Sequence, residues 1–181
     1  MAKNGFIVLI PHRDQAAIIN RYRENLFAAG FPGAYSFPAA APLAVIHKSF
    51  SRDELKELAR NLRNLTLATD GKIQGKDTGI IHYSNFTFLG INTGLTIGED
   101  LFPKTAITKI KEIIPESVIC TALLDKSIKT NNEGKVLTDT PLVSFRAASV
   151  ANLAIRPLGS GEKEYSFEWK IGPPAWLPGF H

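Results

Sequence analysis

Leu43-Ala44-Val45-Ile46-His47-Lys48-Ser49-Phe50 is the stretch on which the fold turns. As a strand it alternates, with Val45, His47 and Ser49 on one face and Ala44, Ile46, Lys48 and Phe50 on the other. An imidazole and a hydroxyl two residues apart then stand side by side. That pairing suits a phosphate, because the imidazole moves a proton and the hydroxyl holds an oxygen.

Upstream, Phe6-Ile7-Val8-Leu9-Ile10 is a short buried strand ended by Pro11. Asp14 is placed to cap a helix over 14–29. Ile18, Ile19, Tyr22, Leu26 and Phe27 form its apolar stripe, Arg21, Arg23 and Glu24 turn outward, and Gly30 stops it. The segment 31–42 holds three prolines and a glycine and reads as a loop. Downstream, Ser51-Arg52-Asp53-Glu54 is a capping box that opens a second helix over 53–65. Leu55, Leu58, Leu62 and Leu65 are its apolar stripe.

In the second half, 71–79 reads as a polar turn and 80–92 as one or two strands. Residues 105–114 read as a short helix stopped by Pro115, and 118–124 as a strand. The polar run 126–135, with Asn131-Asn132-Glu133-Gly134, reads as an exposed loop. Residues 142–155 form one or two strands, 165–171 another, and the proline-rich end 172–179 no regular structure. Helices interleaved with strands point to an α+β or α/β domain; we expect α+β, with residues 1–181 as one domain.

The chain has 181 residues, 44% of them hydrophobic, enough for a sizeable core. No apolar stretch reaches the roughly 18 residues of a membrane span. The start, Met1-Ala2-Lys3-Asn4-Gly5, runs into a strand that Pro11 ends too early for a secretory signal, so a cytosolic location with no membrane partner is expected. Cys120 is the only cysteine, which rules out an internal disulfide and a cysteine metal cluster. A net charge of +4 and a pI near 9.2 fit anionic ligands, though many ordinary domains are as basic. The glycines form neither a dinucleotide fingerprint nor a P-loop, and no His/Asp/Glu spacing suggests a metal. No cofactor is expected.

With this order in view, the chain resembles the LigT-like two-histidine phosphoesterases, which include RNA 2′,5′ ligases and cyclic phosphodiesterases. The resemblance rests on the first strand and its helix, the proline-rich stretch leading into Val45-Ile46-His47-Lys48-Ser49-Phe50, the helix after it, and Phe86-Thr87-Phe88-Leu89-Gly90-Ile91. It implies two lobes whose sheets line a central cleft, with helices outside. Each lobe of such a protein presents one His-x-Thr/Ser motif. One imidazole is general base, the other general acid, and the hydroxyls hold the phosphate. It also implies a phosphorylated small molecule, nucleotide or RNA as partner.

The sequence departs from that pattern at the second motif. Residues 145–155 contain no histidine; Val150 falls at the histidine position and Asn152 at the threonine position, and a one-residue slip puts Ser149 and Ala151 there. Lys48 also sits where an apolar residue would pack. Ile81-His82-Tyr83-Ser84 repeats the pattern of Ile46-His47-Lys48-Ser49, so His82 and Ser84 are a candidate substitute, with an edge-strand histidine as the alternative. His47 and Ser49 are thus the first catalytic candidates and His82 the third. Arg146, Asn152 and Ser84 are ligand-binding candidates. His47 has a second reading as a core histidine, and Arg146 as a solvated or salt-bridged arginine. His12 reads as a helix neighbour and His181 as a terminal residue. Trp169 and Trp176 fit core packing better than base stacking.

Three functions stay open: a binding protein for a nucleotide or RNA end with weak or lost phosphodiesterase activity, an active metal-free cyclic phosphodiesterase with an unusual second group, and an α+β domain of unrelated function. Losing one proton-transfer group costs on the order of a hundred- to ten-thousandfold in rate, which favours the first.

Overall fold

The computed structural model describes residues 4–13, 16–28, 40–67, 72–74, 78–83, 86–124, 142–157 and 165–178. Within them, ten strands and two α-helices form an α+β domain in which every strand pairing is antiparallel. The strands are β1 (Asn4–Pro11), β2 (Ala41–Ile46), β3 (Lys72–Gln74), β4 (Thr78–Tyr83), β5 (Phe86–Thr96), β6 (Ile110–Ile113), β7 (Glu116–Leu124), β8 (Leu142–Pro157), β9 (Tyr165–Ile171) and β10 (Ala175–Trp176). The helices are α1 (Ala16–Ala28) and α2 (Arg52–Leu67). The larger sheet runs β10-β8-β1-β2-β6, with β3 and β9 also paired to β8; the smaller runs β4-β5-β7.

The opening stretch forms a strand only as far as Ile46, and His47-Lys48 is a bend. All six residues of β2 are buried, because β1 and β6 flank it and both sheet faces are covered. Strand character therefore ends where the apolar run ends, and the expected alternation does not carry through His47 and Ser49. β2 also begins at Ala41, inside the expected loop. Pro42 sits at a register shift against β1, where a residue without an N–H is tolerated. The remainder of that loop, 31–39, lies outside the described residues, as do Asp14, Gly30 and the polar run 126–135.

The strand β1 aligns its neighbours. Ile46, Gly5 and Asn152 stand in one row across the sheet, and Ala44, Ile7 and Val150 in the next. Directly paired residues point to the same face. Gly5 leaves room for the isoleucine across from it: a Cβ there would lie 3.0 Å from Ile46 Cγ1 and 3.3 Å from its carbonyl oxygen, so Ile46 would have to shift. On this face Ile7, Leu9, Ala44, Ile46 and Ala148 join Leu55, Leu58, Ala59 and Leu62 of α2 in one buried cluster. Val45, with Phe6, Ala151, Val8 and Ser149, falls on the opposite face, also buried. Val150 and Asn152 therefore share the face of Ile46, not that of Val45.

Four further expectations change. In α1 the buried stripe is Ile19, Tyr22 and Arg23, while Ile18 is 39% exposed. Ile19 and Tyr22 are buried as expected, Arg23 is buried where it was expected to turn outward, and burial lowers its pKa; the side chains of Leu26 and Phe27 lie outside the described residues. Residues 104–109 form a 3₁₀ helix and 110–113 the edge strand β6, where a helix over 105–114 was expected. Its β-branched isoleucines suit pairing with β2. The polar turn 71–79 contains β3, and the C-terminal stretch gains the two-residue β10. No described helix is long and apolar enough to cross a membrane.

Candidate functional site

The capping box forms as its residues require: the Ser51 N–H donates to Glu54 Oε2 at 2.6 Å, and the Glu54 N–H donates to Ser51 Oγ at 3.3 Å. Glu54 then takes both hydrogen bonds of the Lys109 ammonium, at 2.7 and 2.8 Å. The Lys109 carbonyl accepts the His47 N–H at 3.1 Å. One residue on the 3₁₀ helix thus ties the end of β2 to the start of α2 and fixes the connection that carries Ser49. Burial by itself pushes the Glu54 carboxyl up. The Lys109 hydrogen bonds, those of Ser51 and the Lys109 charge outweigh it and hold the carboxyl below its ordinary value.

Beside this connection lies a cavity of about 890 Å³. Its walls are Ser49 and Phe50, the first turns of α2, Val150 and Asn152 of β8, and the segment 172–176. A helix forms one side of it, so this cavity is not walled by sheets alone. Arg52 and Lys56 line it together, four residues apart on one helix face. Lys56 Nζ lies 3.9 Å from Asp53 in a solvated pair of little strength. An arginine in a helix's first turn opposes the macrodipole, so Arg52 adds its charge to the positive helix end. The described lining holds two cations, a hydroxyl and an amide on an otherwise apolar wall, with no carboxylate among them.

The wall 172–176 is held by β8. Buried Ser149 donates its hydroxyl proton to the Gly172 carbonyl at 2.8 Å, the Gly172 N–H donates to Val150 O at 2.8 Å, and the Leu177 N–H to Arg146 O at 2.8 Å. Ser149→Ala removes one of these ties and leaves the Gly172 carbonyl short of a donor. We expect about 1–2 kcal/mol of lost stability in urea unfolding, with weaker ligand binding in titration. An unchanged midpoint would show that the backbone pairs alone hold the wall.

The sequence candidates divide. Ser49 and Asn152, about a hundred residues apart, line the same cavity. His47 is exposed at the bend and is absent from the described lining. His82 sits in β4 of the smaller sheet opposite Thr87; its side chain, and all of Ser84, lie outside the described residues. The Trp169 side chain and His181 lie there too. Arg146 is also absent from the described lining; its guanidinium lies over Trp176, 5.3 Å from the ring centroid. Trp176, expected in the core, is 53% exposed. Sequence reading missed Arg52 and Lys56 because both sit in a helix already explained by its capping. Their i,i+4 spacing, with a cation in the first turn, was the available signal. No group of three or more metal-binding side chains occurs among the described residues. No family model, no curated protein and no solved structure matches this chain.

Proposed function

We propose that this chain is a divergent LigT-like protein that binds a phosphate-bearing ligand in the cavity beside α2, with phosphodiesterase activity weak or lost. The two sheets would be its two lobes. The observation that carries the proposal is the convergence of Arg52, Lys56, Ser49 and Asn152 on one cavity. The cations supply charge, the hydroxyl and amide supply directed hydrogen bonds, and such charge-assisted bonds are the stronger kind. Binding is favoured over turnover because His47, the proton-transfer candidate, stands off the described lining.

Titration with a nucleoside 2′,3′-cyclic phosphate and a short RNA, at low and moderate salt, tests it. Affinity should fall as salt rises. Arg52→Glu should weaken binding by about tenfold or more, equivalent to roughly 1.4 kcal/mol. A carboxylate in the first turn complements the helix dipole, so this variant keeps its stability and a loss of binding is a loss at the site. Absence of binding at both salts, or affinity untouched by Arg52→Glu, overturns the proposal.

A further inference from the structure

Apart from Arg52, Lys56, Ser49 and Asn152, the described lining is apolar, and the surface it offers a ligand is aliphatic. Val150 of β8 is half-buried and Pro173 and Pro174 are exposed, with buried Leu55 and Ala175 beside them. This surface is set before any ligand arrives. Val150 O holds the Gly172 N–H at 2.8 Å, Ser149 holds the Gly172 carbonyl, also at 2.8 Å, and the proline rings fix their own φ. A wall fixed in this way gives up little entropy when it is covered.

The two aromatic side chains of the described lining present no free ring face to the cations. Phe50 is buried in the core cluster, edge-to-face against Phe102 with centroids 6.5 Å apart. Trp176 pairs with Ala147 and alternates with Ala175 and Leu177 of the α2-side cluster. Its indole therefore turns to the sheet face opposite Arg52 and Lys56, where the Arg146 guanidinium lies over it. A flat base finds nothing here to stack on. A saturated chain needs only apolar contact, and finds it on the wall.

A cavity of about 890 Å³ is far larger than a bare phosphate fills and lies in the usual range for a whole small ligand. Resting on the phosphate-binding reading above, we propose that Val150, Pro173 and Pro174 form a subsite for an unbranched aliphatic chain, and that the ligand is an anionic amphiphile, a single chain carrying a terminal phosphate. Arg52 and Lys56 hold the head, complementary in charge, and the chain lies along the wall. A nucleotide or an RNA end shares only the head, so its phosphate binds and its base adds nothing.

The test titrates the protein calorimetrically with butyl, hexyl and octyl phosphate, all below their micelle concentrations. Adenosine 5′-monophosphate and octanoate are the comparisons. A methylene taken fully out of water tightens binding by about fourfold. With the chain only half covered in an open cavity, octyl phosphate should still bind about tenfold or more tighter than butyl phosphate, and tighter than the nucleotide. The binding heat capacity should grow more negative with chain length, the mark of apolar burial. Val150→Thr keeps a β-branched strand residue and should narrow the octyl-to-butyl ratio, the unfolding midpoint showing that the variant is folded. Affinity that does not change with chain length, a ratio untouched by Val150→Thr, or a nucleotide bound as tightly as octyl phosphate overturns the chain subsite. If butyl phosphate then still binds and still needs Arg52, the phosphate site stands without it. Octanoate binding as tightly as octyl phosphate, with no dependence on Arg52, keeps the chain subsite and removes the phosphate reading. If no alkyl phosphate binds, both readings fall.

Discussion

Leu58→Ala should destabilise the protein by roughly 2–5 kcal/mol, the range for emptying a leucine site in a closed core. Leu58 is fully buried and lies in the cluster that joins α2 to the larger sheet. α2 packs on β8, which the sheet holds between β1 and β10, so little collapse is available. Against a total stability of about 5–15 kcal/mol this is a large share. The urea midpoint reads it, as does a melting temperature lower by roughly 2–4 °C per kcal/mol. Leu58→Met conserves volume and should cost less than about 1.5 kcal/mol, separating packing from any other role. Leu55 lies on the same helix and lines the cavity, as do Arg52 and Lys56. Loosening α2 should therefore weaken phosphate binding even where the variant is still folded. A loss below about 1 kcal/mol would show that the helix docks through other residues.

The fold was legible where local signals agreed. Ser51 and Glu54 announced their own helix start, and Leu55, Leu58 and Leu62 its buried face, because capping and periodicity are properties of neighbours in sequence. The strand at 165–171 was bounded correctly by its alternation. What could not be read is what the chain brings together from far away. Where the apolar run of β2 stops, both of its partners, β1 and β6, pair only as far as Ile46. That β8 presents Val150 and Asn152 to the helix side follows from its register with β1, which one sequence does not state. The site was legible in part for the same reason. A search for imidazole and hydroxyl pairs finds Ser49. Arg52 and Lys56 become site residues only because the segment 172–176 folds back beside them, tied down by Ser149. Trp176 looked like core because an aromatic in an apolar tail usually is; its exposure depends on the two-residue strand that holds it out.

Glu54→Ala should cost about 2–4 kcal/mol at neutral pH, through two losses at once: the reciprocal cap of α2, and the partner of Lys109. The Glu54 side chain is 11% exposed and that of Lys109 25%, so the pair is largely shielded from water and from salt. The figure stays below that for a fully buried pair, because the lysine can turn its ammonium toward solvent along a flexible stem. The pH dependence separates the charge from the packing. The folded protein holds this carboxyl below its ordinary value of 4.5. Its contribution is therefore complete above that value and is lost as pH falls through the lower folded one, since the unfolded chain takes up the proton first. Glu54→Gln keeps the shape and an acceptor for the Ser51 N–H but has no charge to lose. Its stability should fall less steeply than that of the unaltered protein on acidification from about pH 7 to about pH 3. Equal slopes would mean that the Lys109 pair does not set this limb. The consequence reaches the cavity, because the carbonyl of Lys109 holds the His47 N–H. Once Lys109 is released from Glu54, nothing in that link fixes the end of β2 against the start of α2. Ser49 and Arg52 then lose their common frame, and Glu54→Gln should weaken phosphate binding although Glu54 is not itself in the described lining.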